Sequence, residues 1–307
     1  MSSHRRAPAP PRPSTGVLPP PSLLRPPLPP PRRRVDDVFV RLVWAENLMS
    51  ELTTIRALLP RYPYITVHAE HGCAGEDEDD GLVAAMPPGV RLDDLPEAAR
   101  YALAKIDVDA FPVLQLGLTL CDAHGRLPVL RAPGGGAAAS VWQVALFPSH
   151  GGGGTAVAMK SLAYALFATG VVSTATWGKV TWVAYGGLYH LGFLLKVLIG
   201  GAPLPDTWDG FMAALRAYLG GKVFDVRYVA ARLPTEVTLK GPLASLASLL
   251  GAPAAAAREP WQAGEKSLAA CQVFMRIKGL YFAWDGIDMH AGCIHGLHTP
   301  PSPPESR

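Results

Sequence analysis

Charge is scarce in this sequence and cysteine scarcer still. Of 307 residues, 17% are charged and four are cysteine: Cys73, Cys121, Cys271 and Cys293. The cysteines lie far apart with no CxxC pair, so no disulfide framework is needed and the pattern fits free thiols in a reducing compartment. Net charge is only +3, and the arginines of the first thirty-four residues supply much of the excess. A general electrostatic grip on nucleic acid is therefore not indicated. Uninterrupted apolar runs are missing too. The richest, 180–199, contains His190, Lys196 and two adjacent glycines, which argues against a membrane span. The first residues carry no apolar leader and are broken throughout by proline, so no secretory signal is expected. These absences point to a soluble intracellular protein with no membrane partner.

What is present is apolar: 49% of the residues, enough in a chain of this length for one large core. Residues 1–34 are proline and arginine, with PPP triplets and Arg32-Arg33-Arg34, and cannot bury enough apolar area to offset the entropy of ordering. A disordered, polyproline-rich tail is expected there, a second at 299–307, and a single domain over 35–298. Within it, alternation or continuous apolar runs predict strands at 38–43, 113–120, 141–147, 181–185 and 223–226. Helical spacing predicts helices over 48–59, 157–167, 188–198, 208–219, 241–250, 264–282 and 285–295. The acidic run 76–80 repels itself and reads as a loop. Strands first, then helices with single strands between them, argue for an α/β fold: a mixed sheet with helices on both faces.

The sequence is organised around Arg61-Tyr62-Pro63-Tyr64-Ile65-Thr66-Val67-His68-Ala69-Glu70-His71-Gly72. Side chains alternate across a strand, so His68 and Glu70 share one face. At the carboxyl end of a buried strand they reach the crevice where α/β proteins hold ligands.

Several stretches, in order and at compatible spacing, carry a family resemblance: Val43-Trp44-Ala45-Glu46-Asn47-Leu48, Arg61-Tyr62-Pro63-Tyr64-Ile65, Gln115-Leu116-Gly117-Leu118-Thr119-Leu120, Trp142-Gln143, Gly192-Phe193-Leu194-Leu195-Lys196, Phe224-Asp225-Val226 and Gln262-Ala263-Gly264. The chain resembles the CCR-associated-factor deadenylase subunit of the CCR-NOT complex, within the DEDD (RNase D-like) exonucleases. The resemblance implies a ribonuclease-H-like fold, 3′ to 5′ removal of poly(A) with two divalent metals, Mg or Mn, and location in nucleus and cytoplasm. Implied partners are the complex's scaffold, its companion nuclease and poly(A) RNA.

The site positions depart from the family. Asp-Thr-Glu-Phe-Pro-Gly of the family is His68-Ala69-Glu70-His71 here, and only Glu70 survives. The aspartate of Tyr-Asp-Phe-Gly is His190. His-Gln-Ala-Gly-Ser-Asp-Ser becomes Trp261-Gln262-Ala263-Gly264-Glu265-Lys266-Ser267, replacing both the general base and the last metal aspartate. Two hard cations about 3.5–4 Å apart need several carboxylate oxygens to balance their charge, whereas Glu70 supplies one and Lys266 would cancel it. Trp261 offers a donor only and cannot take a proton from water. The expectation is thus a catalytically dead or severely impaired homologue acting as a complex subunit or RNA-binding module, with no cofactor. Lys266 would pair with Glu70 in the vacated metal space. The alternative is an active deadenylase with an altered metal site, in which His68, Glu70 and His190 hold a single zinc, manganese or iron ion.

Overall fold

The structure is a computed structural model, and it describes residues 38–72, 95–132, 135–147, 154–233, 239, 241–252, 262–282 and 286–298. The tails expected at 1–34 and 299–307, the acidic run 76–80, Cys73 and Trp261 lie outside the described residues.

Seven strands form one mixed sheet: β1 (Val38–Val43), β2 (Tyr64–His71), β3 (Val113–Cys121), β4 (Val129–Arg131), β5 (Ala137–Ala145), β6 (Thr181–Ala184) and β7 (Val223–Asp225). Their order is β1-β5-β3-β2-β6-β7, with β4 alongside β5. The β2–β3 and β3–β5 pairs are antiparallel; β1–β5, β2–β6 and β6–β7 are parallel. Among the described residues eight α-helices accompany it: α1 (Leu48–Leu58), α2 (Glu97–Ala110), α3 (Met159–Ala168), α4 (Gly187–Leu198), α5 (Trp208–Leu219), α6 (Val226–Ala230), α7 (Leu243–Leu249) and α8 (Ala263–Tyr281). No helix of the described residues is long and apolar enough to cross a membrane.

Alternation along the strands divides the core in two. Trp182 and Ala184 of β6 join Ile65, Val67 and Ala69 of β2 and Leu116, Leu118 and Leu120 of β3 on the face covered by α1–α5. Val183, Tyr185 and Phe224 face the other way, into the cluster closed by Ala269, Val273, Phe274 and Ile277 of α8. The mixed sheet with helices on both faces is therefore the observed architecture.

Several elements differ from expectation, among them the short strand β4, which was not foreseen. The helix expected over 285–295 is a single 3-10 turn, Ile287–His290. Gly292 then takes φ 75°, and its N–H donates to the Val223 carbonyl at 2.7 Å, so tertiary bonds peel the segment away from helical continuation. Helix α2 was not foreseen because its buried side includes Arg100 and Asp107, which blur the apolar period. Short α6 starts at Asp225, whose side chain caps it.

Asp225 is fully buried and ties three segments together. Oδ1 accepts from the N–H groups of Gly186 (3.2 Å) and Arg227 (2.9 Å), and Oδ2 from those of Gly187 and His295 (both 2.9 Å). Replacing it by alanine orphans four backbone donors beside the β6–α4 turn. Asp225→Ala is expected to cost about 3–5 kcal/mol in urea unfolding, and Asp225→Asn less, since one carbonyl oxygen remains. Equal losses for the two variants would show that the hydrogen bonds are not what matters.

Candidate functional site

The site lies where β2 outruns its neighbour. Pairing of β2 with β6 ends at Val67↔Ala184, and the register against β3 shifts between Glu70 and His71. The last residues of β2 thus extend beyond the end of its pairing with β6. There the Ala69 N–H donates to His190 Nδ1 at 3.2 Å, fixing the first turn of α4 against the strand end. The turn before α4 is made by Gly186 at φ 71°, a left-handed conformation that glycine adopts without strain.

His68 and Glu70 share a face, with Nε2 of the first 3.3 Å from Oε1 of the second. The rings of His68 and His190 lie 4.0 Å apart between centroids. From the opposite element, α8, Lys266 Nζ reaches the same Glu70 Oε1 at 2.9 Å. Both side chains of that ion pair are largely buried, 13% and 14% exposed. Burial pushes the Glu70 carboxyl up, but the hydrogen bond and charge of His68 and the Lys266 ammonium outweigh it and hold the group at about 2. Burial holds His190 well below the usual imidazole value, in keeping with a neutral ring whose Nδ1 accepts a hydrogen bond from the Ala69 N–H. His71 is lowered for the same reason, stacked 4.5 Å from the Phe193 ring.

Four of the five residues singled out in the sequence, His68, Glu70, His190 and Lys266, are thus brought into one cluster. The fifth, Trp261, is outside the described residues. As arranged, His68, Glu70 and His190 do not fit a divalent cation. His190 Nδ1 is engaged by the backbone, and the one carboxylate is engaged by an ammonium. Among the described residues no group of three or more His, Cys, Asp or Glu side chains is placed to hold a metal ion.

The seating of α8, which delivers Lys266, was not read from the sequence. Gly117 of β3 lies under Ala263, where any Cβ would collide with that residue's carbonyl. One step along, Thr119 Oγ1 and Ser267 Oγ are hydrogen-bonded at 2.8 Å. Gln143 Oε1 accepts the Gly264 N–H at 3.1 Å, while its Nε2 donates to Gln262 Oε1 at 2.6 Å. Across the sheet end, the Tyr189 hydroxyl donates to Asp107 Oδ2 at 3.2 Å. The available signal was polar residues and a glycine inside otherwise apolar strands, Gly117, Thr119 and Gln143.

No protein-family model matches the chain. It is 25% identical over 284 residues to "Probable CCR4-associated factor 1 homolog 7" of Arabidopsis thaliana, covering 85% of this chain and 94% of that protein. It is 26% identical over 268 residues to "Poly(A) ribonuclease pop2" of Schizosaccharomyces pombe, covering 79% and 70% respectively. Among solved structures, S. pombe Pop2p in its Mg2+- and Mn2+-bound form superposes with a TM-score of 0.63 at 24% identity, over 84% of this chain and 99% of the other. Yeast CAF1 co-crystallised with the NOT1 MIF4G domain yields a neighbour with a TM-score of 0.61 at 23% identity, over 87% and 99%. These structural likenesses, below 25% identity, establish the fold.

Proposed function

We propose that this chain, similar along most of its length to CCR4-associated factor/Pop2 deadenylases, is a member of that family whose nucleolytic chemistry has been removed while the domain is kept as a subunit of a CCR4-NOT-type assembly. The observation that carries this reading is the Lys266–Glu70 contact at 2.9 Å. A fixed ammonium stands on the one carboxylate retained from the family's ligand set and neutralises it without offering water a Lewis acid. Divalent metals would supply water activation and leaving-oxygen stabilisation in an active relative. Here His68 and His190 pack ring against ring beside Glu70, and Trp261 stands in the sequence where the general base would be. The partner proposal rests on the fold and on the co-crystal of a yeast relative with a NOT1 domain. Poly(A) is proposed as an RNA that is held and not cut, and location in nucleus and cytoplasm follows the same family reading.

The test is degradation of 5′-labelled oligo(A) with Mg2+ or Mn2+, using the full chain beside a variant carrying His68→Asp, His190→Asp, Trp261→His and Lys266→Asp. No shortening by the native chain and some shortening by the variant are expected. Metal-dependent shortening by the native chain, abolished in Glu70→Ala, would sink the proposal. The assembly role is checked by size-exclusion chromatography with a NOT1-type MIF4G domain, where separate elution counts against it.

A further inference from the structure

Helix α8 lies on β3 in a matched register. Two residues along a strand advance about 6.8 Å and four along a helix about 6 Å, so a strand and a helix lying side by side can present successive pairs to one another. Three such pairs occur here. Gly117 meets Ala263, Thr119 bonds Ser267, and Cys121 meets Cys271, with the two sulfurs 3.3 Å apart. Both cysteines are free thiols, buried within the sheet–helix interface and 150 residues apart in the chain.

We propose that Cys121 and Cys271 are an oxidisable pair, which hydrogen peroxide converts to an intramolecular disulfide that staples α8 to β3. One sulfur, as thiolate, attacks a peroxide oxygen, breaking the O–O bond and giving a sulfenic acid and a hydroxide, which takes up the proton the thiol lost and becomes one water. The second thiol then attacks that sulfur, forming the S–S bond and expelling the hydroxyl as a second water. Two thiols are oxidised and one peroxide is reduced. The geometry favours the second step, because the resolving sulfur is already in contact with the first. The neighbouring thiol and burial push the Cys121 thiol up, so the first step is slow in the closed fold and proceeds through openings of the α8–β3 interface. The third free cysteine of the described residues, Cys293, is partly exposed, and no other cysteine of the described residues is bonded to it.

The consequence is local. Lys266 lies on the same helix, five residues before Cys271, so the staple fixes the segment that delivers the ammonium to Glu70.

The experiment exposes the full chain, with Cys73→Ser and Cys293→Ser, to hydrogen peroxide, followed by denaturation, alkylation and peptide mass spectrometry. Expected are joint loss of both thiols, one cross-linked peptide joining Cys121 to Cys271, reversal by dithiothreitol, and a rise in melting temperature on the order of 10 °C. Two alkylatable thiols after exhaustive oxidation would overturn the proposal, as would sulfinic acid or intermolecular dimers in place of the internal bridge. Should the serine background fold poorly, the same peptide mapping on the unaltered chain decides the matter, since pairing through Cys73 or Cys293 would equally overturn it.

Discussion

Gly117→Ala is expected to abolish the native fold or expel α8 from the sheet. The added methyl carbon would fall inside the van der Waals surface of the Ala263 carbonyl and within 2.7 Å of the Gly264 nitrogen. Both obstacles are backbone atoms, and no rotamer change relieves them. The helix cannot slide along the strand, because Thr119–Ser267 and Gln143–Gly264 fix it on either side. Lifting α8 would break these bonds and open the cluster that Ala269, Val273, Phe274 and Ile277 close. A loss above about 4 kcal/mol is expected, among the largest that a single methyl group produces. Urea unfolding with circular dichroism checks it; a loss below about 1 kcal/mol would mean that helix and strand are not in the close contact described.

Lys266→Met is the second large effect. It leaves the Glu70 carboxylate, 14% exposed, beside His68 with its ammonium partner gone. Breaking a mostly buried pair from one side costs about 2–4 kcal/mol, roughly 5–15 °C in melting temperature for a domain of this size. Pairing it with Glu70→Gln should recover most of the loss, because the uncompensated charge is then absent. The effect carries a pH signature of definite sign. The Glu70 carboxyl is held at about 2, below its ordinary 4.5, so its contribution to stability is complete above about pH 4.5 and is lost as pH falls toward 2. The stability gap between the native chain and Lys266→Met should narrow over that interval. A gap constant from pH 6 to pH 2.5 would show that Lys266 stabilises by packing its stem and not by charge.

Sequence and tertiary structure settled different parts of this protein. Most sheet strands and most helices were legible because a half-buried strand repeats every two residues and a helix every 3.6, and continuous chain segments display those periods directly. His68 and Glu70 on one face of a strand end, and the altered motif around Lys266, were legible for the same reason, with the family pattern supplying what had changed. Helix α2 was not legible, since Arg100 and Asp107 sit on its buried side, and the partner of Asp107, Tyr189, is one that no local pattern reveals. Nor was the fate of 285–295, where a bond from Gly292 to Val223 outweighs local helical preference. The pairing of Lys266 with Glu70, 196 residues earlier in the chain, was expected from the altered motif and is present in the structure, whereas only the tertiary structure decided that Cys271 meets Cys121. Such contacts depend on how α8 registers against β3, and that register is fixed by the missing side chain of Gly117, an absence that becomes informative only once the helix lies over it.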